Sequence, residues 1–216
     1  MYQAVIFDLD GTLLDTLEDL KDGVNHALKL QNYPERSLDE VRNFVGNGIQ
    51  KLIERAVPAG TEKEKQQIVF QEFRSYYTSH CRIKTRPYIG IMELLQVLKQ
   101  NHIAMAIVSN KNDAAVKELS KYYFADYIDV AIGEREGIQK KPAPDSVFEA
   151  MRLLKSEKNH TVYVGDSDVD RETAANSGLD CVSVTWGFRE KKLLQALKPE
   201  YLIREPKELT KIILSD

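Results

Sequence analysis

Six short apolar runs, each separated from the next by helical patterning, constrain the fold of this chain more than any other feature. They are AVIF (4–7), AMAIVS (104–109), DVAI (129–132), TVYVG (161–165), CVSVT (181–185) and YLI (201–203). Most are near-continuous rather than alternating in polarity, as expected for strands of a parallel sheet covered on both faces. Between them apolar residues recur at helical spacing: Ile91, Leu94, Leu95 and Leu98, then Val147, Ala150, Met151 and Leu154. Strands alternating with helices predict an α/β domain built on a doubly wound, mostly parallel, Rossmann-like sheet.

The alternation fails in one interval. Residues 16–83 carry no strand pattern, only helix signals. Leu17, Leu20, Val24, Ala27 and Leu28 form one stripe, and Ser37-x-x-Glu40 has the form of a capping box before a second helix. Ile49, Leu52, Ile53, Ala56 and Val57 make a third stripe that stops at Pro58. Thr61-x-x-Glu64 has the form of a second box, before a helix with Val69, Phe73, Tyr76, Tyr77 and His80 on one face. The expected organisation is an α/β core of residues 1–15 and 84–216, with a helical domain of residues 16–83 inserted.

Composition excludes several functions. With 43% hydrophobic and 29% charged residues the chain is an ordinary globular one. Its net charge of −3 offers no footprint for nucleic acid. Cys81 and Cys181 lack ligand spacing, so neither a zinc site nor a disulfide framework is expected. No stretch approaches the ~20 apolar residues of a membrane span. MYQAVIFDLD lacks the pattern of a secretory signal, and the expectation is a reduced, cytoplasmic protein.

In open parallel sheets ligands bind beyond the carboxyl ends of the strands. The first strand ends in Asp8, Asp10, Gly11 and Thr12, the second in Ser109-Asn110-Lys111, and the fourth in Gly165-Asp166-Ser167-Asp168-Val169-Asp170. QKKPAP places Lys140 and Lys141 before Pro142. The paired aspartates 8 and 10 could be a turn, a metal site, or a nucleophile with its proton-transfer partner. Several carboxylates and a lysine, without clustered Cys or His, suit a hard oxygen-liganded cation, Mg²⁺.

DLDGT after one apolar strand, VSN after a second, KP downstream and GDSDVD after a later strand resemble, in order and spacing, the haloacid dehalogenase-like hydrolases. The resemblance covers essentially the whole chain, and the helical insertion is similar to that superfamily's small helical cap. It implies that Asp8 is the nucleophile, forming an aspartyl-phosphate, and also a metal ligand. Asp10 would be the acid–base group, with its backbone carbonyl on Mg²⁺; the dehalogenase branch lacks an aspartate here, so Asp10 implies phosphoryl chemistry. Gly11 and Thr12 would present N–H groups to the phosphoryl oxygens, and Ser109, helped by the Asn110 amide, would hydrogen-bond the same group. Lys141, directly before proline, rather than Lys140, would neutralise charge on Asp8 and the phosphoryl. Asp166 would be a direct metal ligand and Asp170 an outer one, with no role assigned to Asp168.

FVGNGIQKLIERAV (44–57), TRPYIGIMELL (85–95) and VTWGF (184–188) resemble phosphoglycolate phosphatases, although Ile89 stands where proline is more usual. GNGIQK lacks the residues of a P-loop or a dinucleotide fingerprint. A helix N-terminus near Gly48 could bind a small anion such as a carboxylate, with Lys51 adding charge. Arg55 reads as a surface residue, and His26 and His80 as structural. The expected function is a Mg²⁺-dependent phosphatase of a small phosphorylated metabolite, monomeric or homodimeric. A β-phosphoglucomutase-like phosphotransferase, a pyrophosphatase or nucleotidase, and a non-catalytic interaction protein are the alternatives.

Overall fold

The structure is a computed structural model describing residues 1–215. It separates into two compact units, Met1–Leu14 with Pro87–Asp216, and Asp15–Arg86. The first opens with β1 (Ala4–Phe7), and the chain leaves it along β2 (Leu14–Asp15). The second unit contains α1 (Leu17–Leu30), α2 (Leu38–Phe44), α3 (Ile49–Ala56) and α4 (Lys63–His80). The return runs along β3 (Arg86–Pro87), paired with β2, into α5 (Ile91–Gln100) and β4 (Ala104–Asn112). Then follow α6 (Asp113–Phe124), β5 (Val130–Glu134), α7 (Asp145–Leu154) and β6 (Thr161–Gly165). The chain finishes with α8 (Asp168–Ser177), β7 (Asp180–Val184), α9 (Lys191–Ala196), β8 (Tyr201–Ile203) and α10 (Pro206–Leu214).

Six strands form a sheet in the order β5-β4-β1-β6-β7-β8, with every neighbouring pair parallel. The order reverses about β1: the chain first builds outward through β4 and β5, then crosses back to add β6, β7 and β8. This is the expected doubly wound sheet. Ile6, Ala106, Val108, Ile132, Tyr163 and Cys181 share a buried cluster with Val147, Ala150 and Met151 of α7 and Ala174 of α8. Burial on both faces is why all four residues of β1 read as apolar.

β1, β6 and β8 coincide with the predicted runs, and β5 and β7 start one residue to either side of theirs. β4 continues three residues further than its apolar run. Its pairing slips there: Val108 opposes Ile132 but Asn112 opposes Glu134, so four steps of β4 span two of β5. The slip is a bulge, a device that redirects side chains, and its polar sequence SNKN hid it from hydropathy.

In the second unit α1 packs on α2 and α4, and α3 on α2 and α4. All five residues of the first predicted stripe are buried, as are Leu52, Ile53 and Ala56 of α3 and Val69, Phe73 and Tyr77 of α4. The Ser37–Glu40 box forms, with Glu40 N donating to Ser37 Oγ at 3.3 Å and Ser37 N to Glu40 Oε2 at 2.8 Å. The Thr61–Glu64 box does not. Glu62 occupies the cap position of α4, while the Thr61 hydroxyl donates to the Pro58 carbonyl at 2.6 Å and closes the turn behind α3. Gly23 admits α4: a Cβ there would stand 2.9 Å from the Phe73 ring. Gly23→Leu should therefore overpack this contact and lower stability by about 1–3 kcal/mol, measured by urea unfolding.

Candidate active site

The carboxyl ends of β1, β4 and β6 meet where the strand order reverses, and this is where the polar residues of the sheet converge. Asp8 follows β1 directly and continues its ladder, its N–H donating to Val164 O at 2.9 Å. Lys141, on the connection between β5 and α7, is buried with its ammonium 2.7 Å from Asp8 Oδ1 and 2.8 Å from Asp170 Oδ1. Tyr163 OH donates to the same Asp170 oxygen at 3.1 Å. The other, Oδ2, accepts from Ser167 N at 3.1 Å and Ser167 Oγ at 2.6 Å, in the capping box that opens α8.

Asp166 is seated differently. Its Oδ2 accepts from Phe188 N at 2.7 Å and its Oδ1 from Thr12 Oγ1 at 3.3 Å. Gly11, at φ 93°, and Gly187 leave the space it occupies, since a Cβ on either would overlap its carboxylate. Trp186 Nε1 donates to Thr12 O at 3.0 Å, joining the turn after β1 to the segment after β7.

Asp8, Asp166 and Asp170, all buried, each offer an oxygen within 4.8 Å of the others. Three carboxylates against the one ammonium of Lys141 leave two negative charges, and every donor is a hard oxygen. The residues therefore fit a divalent cation such as Mg²⁺. Both Asp170 oxygens already accept hydrogen bonds, whereas Lys141 engages only one oxygen of Asp8. Asp8 thus has the less engaged carboxylate of the two.

Burial and mutual repulsion both act on these carboxylates. Burial pushes the Asp8 carboxyl from an ordinary 3.8 up to about 7, against the pull of Lys141. Burial also raises Asp166, and the Asp170 and Asp8 charges add to it. Burial by itself would lower Lys141, but Asp170 and Asp8 outweigh it and keep the ammonium charged. Between pH 3.8 and 7 the folded chain thus holds a proton on Asp8 that the unfolded chain releases. Its stability in the presence of a chelator should fall as pH rises through that window. Urea midpoints at pH 5, 6 and 7.5 measure the slope; a rising midpoint would contradict the burial of these carboxylates.

The sequence profile of the haloacid dehalogenase-like hydrolases matches residues 5–184. The chain belongs to this family. It is 33% identical over 197 residues to a phosphoglycolate phosphatase of Rhodobacter capsulatus, covering 89% of both chains. It is 31% identical over 211 residues to a Caldanaerobacter subterraneus protein whose name proposes pyrophosphatase activity, covering 97% of this chain and 94% of that one. A crystal structure from Lactobacillus delbrueckii, described as a proposed phosphoglycolate phosphatase, superimposes with a TM-score of 0.95. That protein is 33% identical, and the match covers 100% of this chain and 99% of the other.

Seen as a family member, the chain gathers Asp8, Asp10, Gly11, Thr12, Ser109, Asn110, Lys141, Asp166 and Asp170 in its first unit. Lys140 pairs instead with Glu134 at 3.6 Å near the surface. Asp168 is half-exposed and accepts from Arg189 Nε at 3.1 Å. The Asn110 carboxamide is engaged with the Lys141 backbone, accepting from its N at 2.8 Å and donating to its O at 2.9 Å. It therefore positions Lys141. Gly48 lies in the second unit, capping α3 at φ 83°. Arg55 there fastens the preceding turn, donating to Phe44 O at 2.7 Å and Asn47 Oδ1 at 2.8 Å, while Lys51 pairs with Glu54 at 2.7 Å.

Three residues of the site have no role assigned by the sequence. Tyr163 is a hydroxyl inside an otherwise apolar strand, and Ser167-x-x-Asp170 repeats the capping-box spacing found at Ser37. Lys111, two residues beyond Ser109, places its ammonium 2.9 and 3.1 Å from the two Asp10 oxygens. Among the described residues, no helix is long and apolar enough to cross a membrane.

Proposed function

We propose that the chain is a Mg²⁺-dependent phosphatase of small phosphate monoesters, with phosphoglycolate the first substrate to test. The observation that carries this reading is the buried trio Asp8, Asp166 and Asp170, two charges short of neutrality, at the switch point of a haloacid dehalogenase-like hydrolase. The names of its relatives and the likeness of residues 44–57 to phosphoglycolate phosphatases support the substrate. A bound dication would supply charge neutralisation for a phosphoryl oxygen, held by Asp8, Asp166 and the Asp10 carbonyl, with Asp170 in the outer shell.

The remaining steps belong to the chain's own groups. An Asp8 oxygen attacks phosphorus, the ester P–O bond breaks, and the leaving oxygen takes a proton from Asp10. Water then attacks phosphorus of the aspartyl-phosphate while Asp10 takes its proton, so phosphate leaves and Asp8 is restored. The Lys141 ammonium offsets charge on the transferring group, and Ser109 with the Gly11–Thr12 backbone orients its oxygens.

The test is a hydrolysis screen over phosphoglycolate, pyrophosphate, β-glucose 1-phosphate and nucleotides, with Mg²⁺ and with EDTA. Phosphoglycolate should show the highest kcat/KM, and EDTA should reduce turnover at least ~10³-fold, with recovery on adding Mg²⁺. Activity surviving EDTA would overturn the metal role. A preference for pyrophosphate would favour the second reading, a pyrophosphatase, which the Caldanaerobacter relative's name supports.

A further inference from the structure

We infer that Lys111 is a positioning residue for the acid–base group, holding the Asp10 carboxylate where proton transfer takes place. The inference rests on the role proposed for Asp10 above. The Lys111 ammonium contacts both carboxylate oxygens, at 2.9 and 3.1 Å, and its side chain is only 3% exposed against 16% for Asp10. One hydrogen bond would leave the carboxylate free to swing about its Cβ–Cγ bond. Contacts to both oxygens restrict that rotation. The two buried lysines thereby divide the acids between them, Lys141 taking Asp8 and Asp170, and Lys111 taking Asp10.

The backbone is built to deliver this lysine. Ser109, Asn110 and Lys111 are all buried, and the bulge between Val108 and Asn112 falls on them, re-aiming side chains that a regular strand would alternate between its two faces. Lys111 N donates to Ser109 Oγ at 3.2 Å, closing the bulge on itself. From the other side Gly133 lies flush against it: a Cβ there would be 2.6 Å from Lys111 O. Gly133 N also donates to Asp113 Oδ1 at 2.9 Å. A solvated surface lysine needs none of these constraints.

Leaving-group dependence separates this role from a structural one. An alkoxide needs a proton as it departs, and p-nitrophenolate does not. With kcat/KM reporting the first chemical step, Lys111→Met should lose about 10²-fold on phosphoglycolate, or whichever alkyl monoester the screen ranks first. On p-nitrophenyl phosphate it should lose less than about 10-fold. Asp10→Asn should show the same selectivity with a larger alkyl loss, and Lys111→Met should add less than about 3-fold on that background, because the two residues act as a unit. Equal losses on both substrates, or a full additional loss on the Asp10→Asn background, would overturn the positioning role. If Asp10→Asn itself shows no leaving-group selectivity, the acid–base reading fails instead. Should Lys111→Met not fold, Lys111→Arg keeps the charge and is expected to show a smaller loss of the same selectivity; an equal loss on both substrates would again overturn the inference.

Discussion

Asp8→Asn should abolish turnover, lowering kcat on p-nitrophenyl phosphate by at least about 10⁴-fold, while leaving the fold as stable as before or more so. The activity loss follows from the chemistry: a carboxamide cannot form the acyl-phosphate, and no other carboxylate of the trio has an oxygen as little engaged. The stability follows from the site. Asp8 is a buried carboxyl pushed up to about 7, so above that pH its ionisation works against the folded state. An asparagine oxygen can still accept from Lys141, and the like charge facing Asp170 and Asp166 is gone. Thermal melts at pH 8 with EDTA should place the variant at or above the parent. A variant that melts well below the parent would show that the Asp8–Lys141 pair is structural. Residual turnover within about 10-fold of the parent would remove Asp8 as the nucleophile.

The opposite pattern is expected at Lys141. Lys141→Met should damage activity and stability together, because it leaves Asp8 and Asp170 buried without their shared cation. Breaking a buried pair from one side costs about 3–5 kcal/mol, which in a chain of this size lowers Tm by on the order of 10 °C. Turnover should fall about 10²–10³-fold as charge compensation for the phosphoryl group is lost. The stability deficit should be largest at pH 8 and shrink toward pH 5, where Asp8, already pushed up to about 7 by burial, can bind a proton instead. Melting curves at both pH values, with and without Mg²⁺, read this directly, and Mg²⁺ should restore part of the loss by replacing the missing charge. A deficit independent of pH would mean that Lys141 contributes through packing rather than through charge.

The sequence singled out these two residues through the resemblance, Asp8 in DLDGT at the end of an apolar strand and Lys141 in KP on a connection between strand and helix. Asp166 directly follows β6 and Asp170 lies in the first turn of α8, so the short turn from strand to helix brings both to the carboxyl end of the sheet. The strands were readable because a sheet covered on both faces leaves almost no polar position within them. Lys111, Tyr163 and Ser167 carry no role in the sequence, Lys111 because its partner is distant, Tyr163 and Ser167 because a hydroxyl near Asp170 has many readings. Lys111 meets an aspartate 101 positions earlier, and only by means of a bulge that hydropathy does not register. Thr61 misled for the converse reason, since its hydroxyl found the Pro58 carbonyl nearer than the helix it precedes.

The division between sequence and structure follows the range of the forces involved. Local pattern determined what each segment is: apolar continuity made the strands, helical periodicity made the second unit, and short motifs carried the family. Tertiary structure decided which charges share a space. It placed one lysine between Asp8 and Asp170 and a second on Asp10, turned the Asn110 amide toward the Lys141 backbone, and left the trio two charges short. Coulombic balance in a buried site depends on distances of a few ångströms between residues from about thirty to more than a hundred positions apart, and no linear pattern carries those distances.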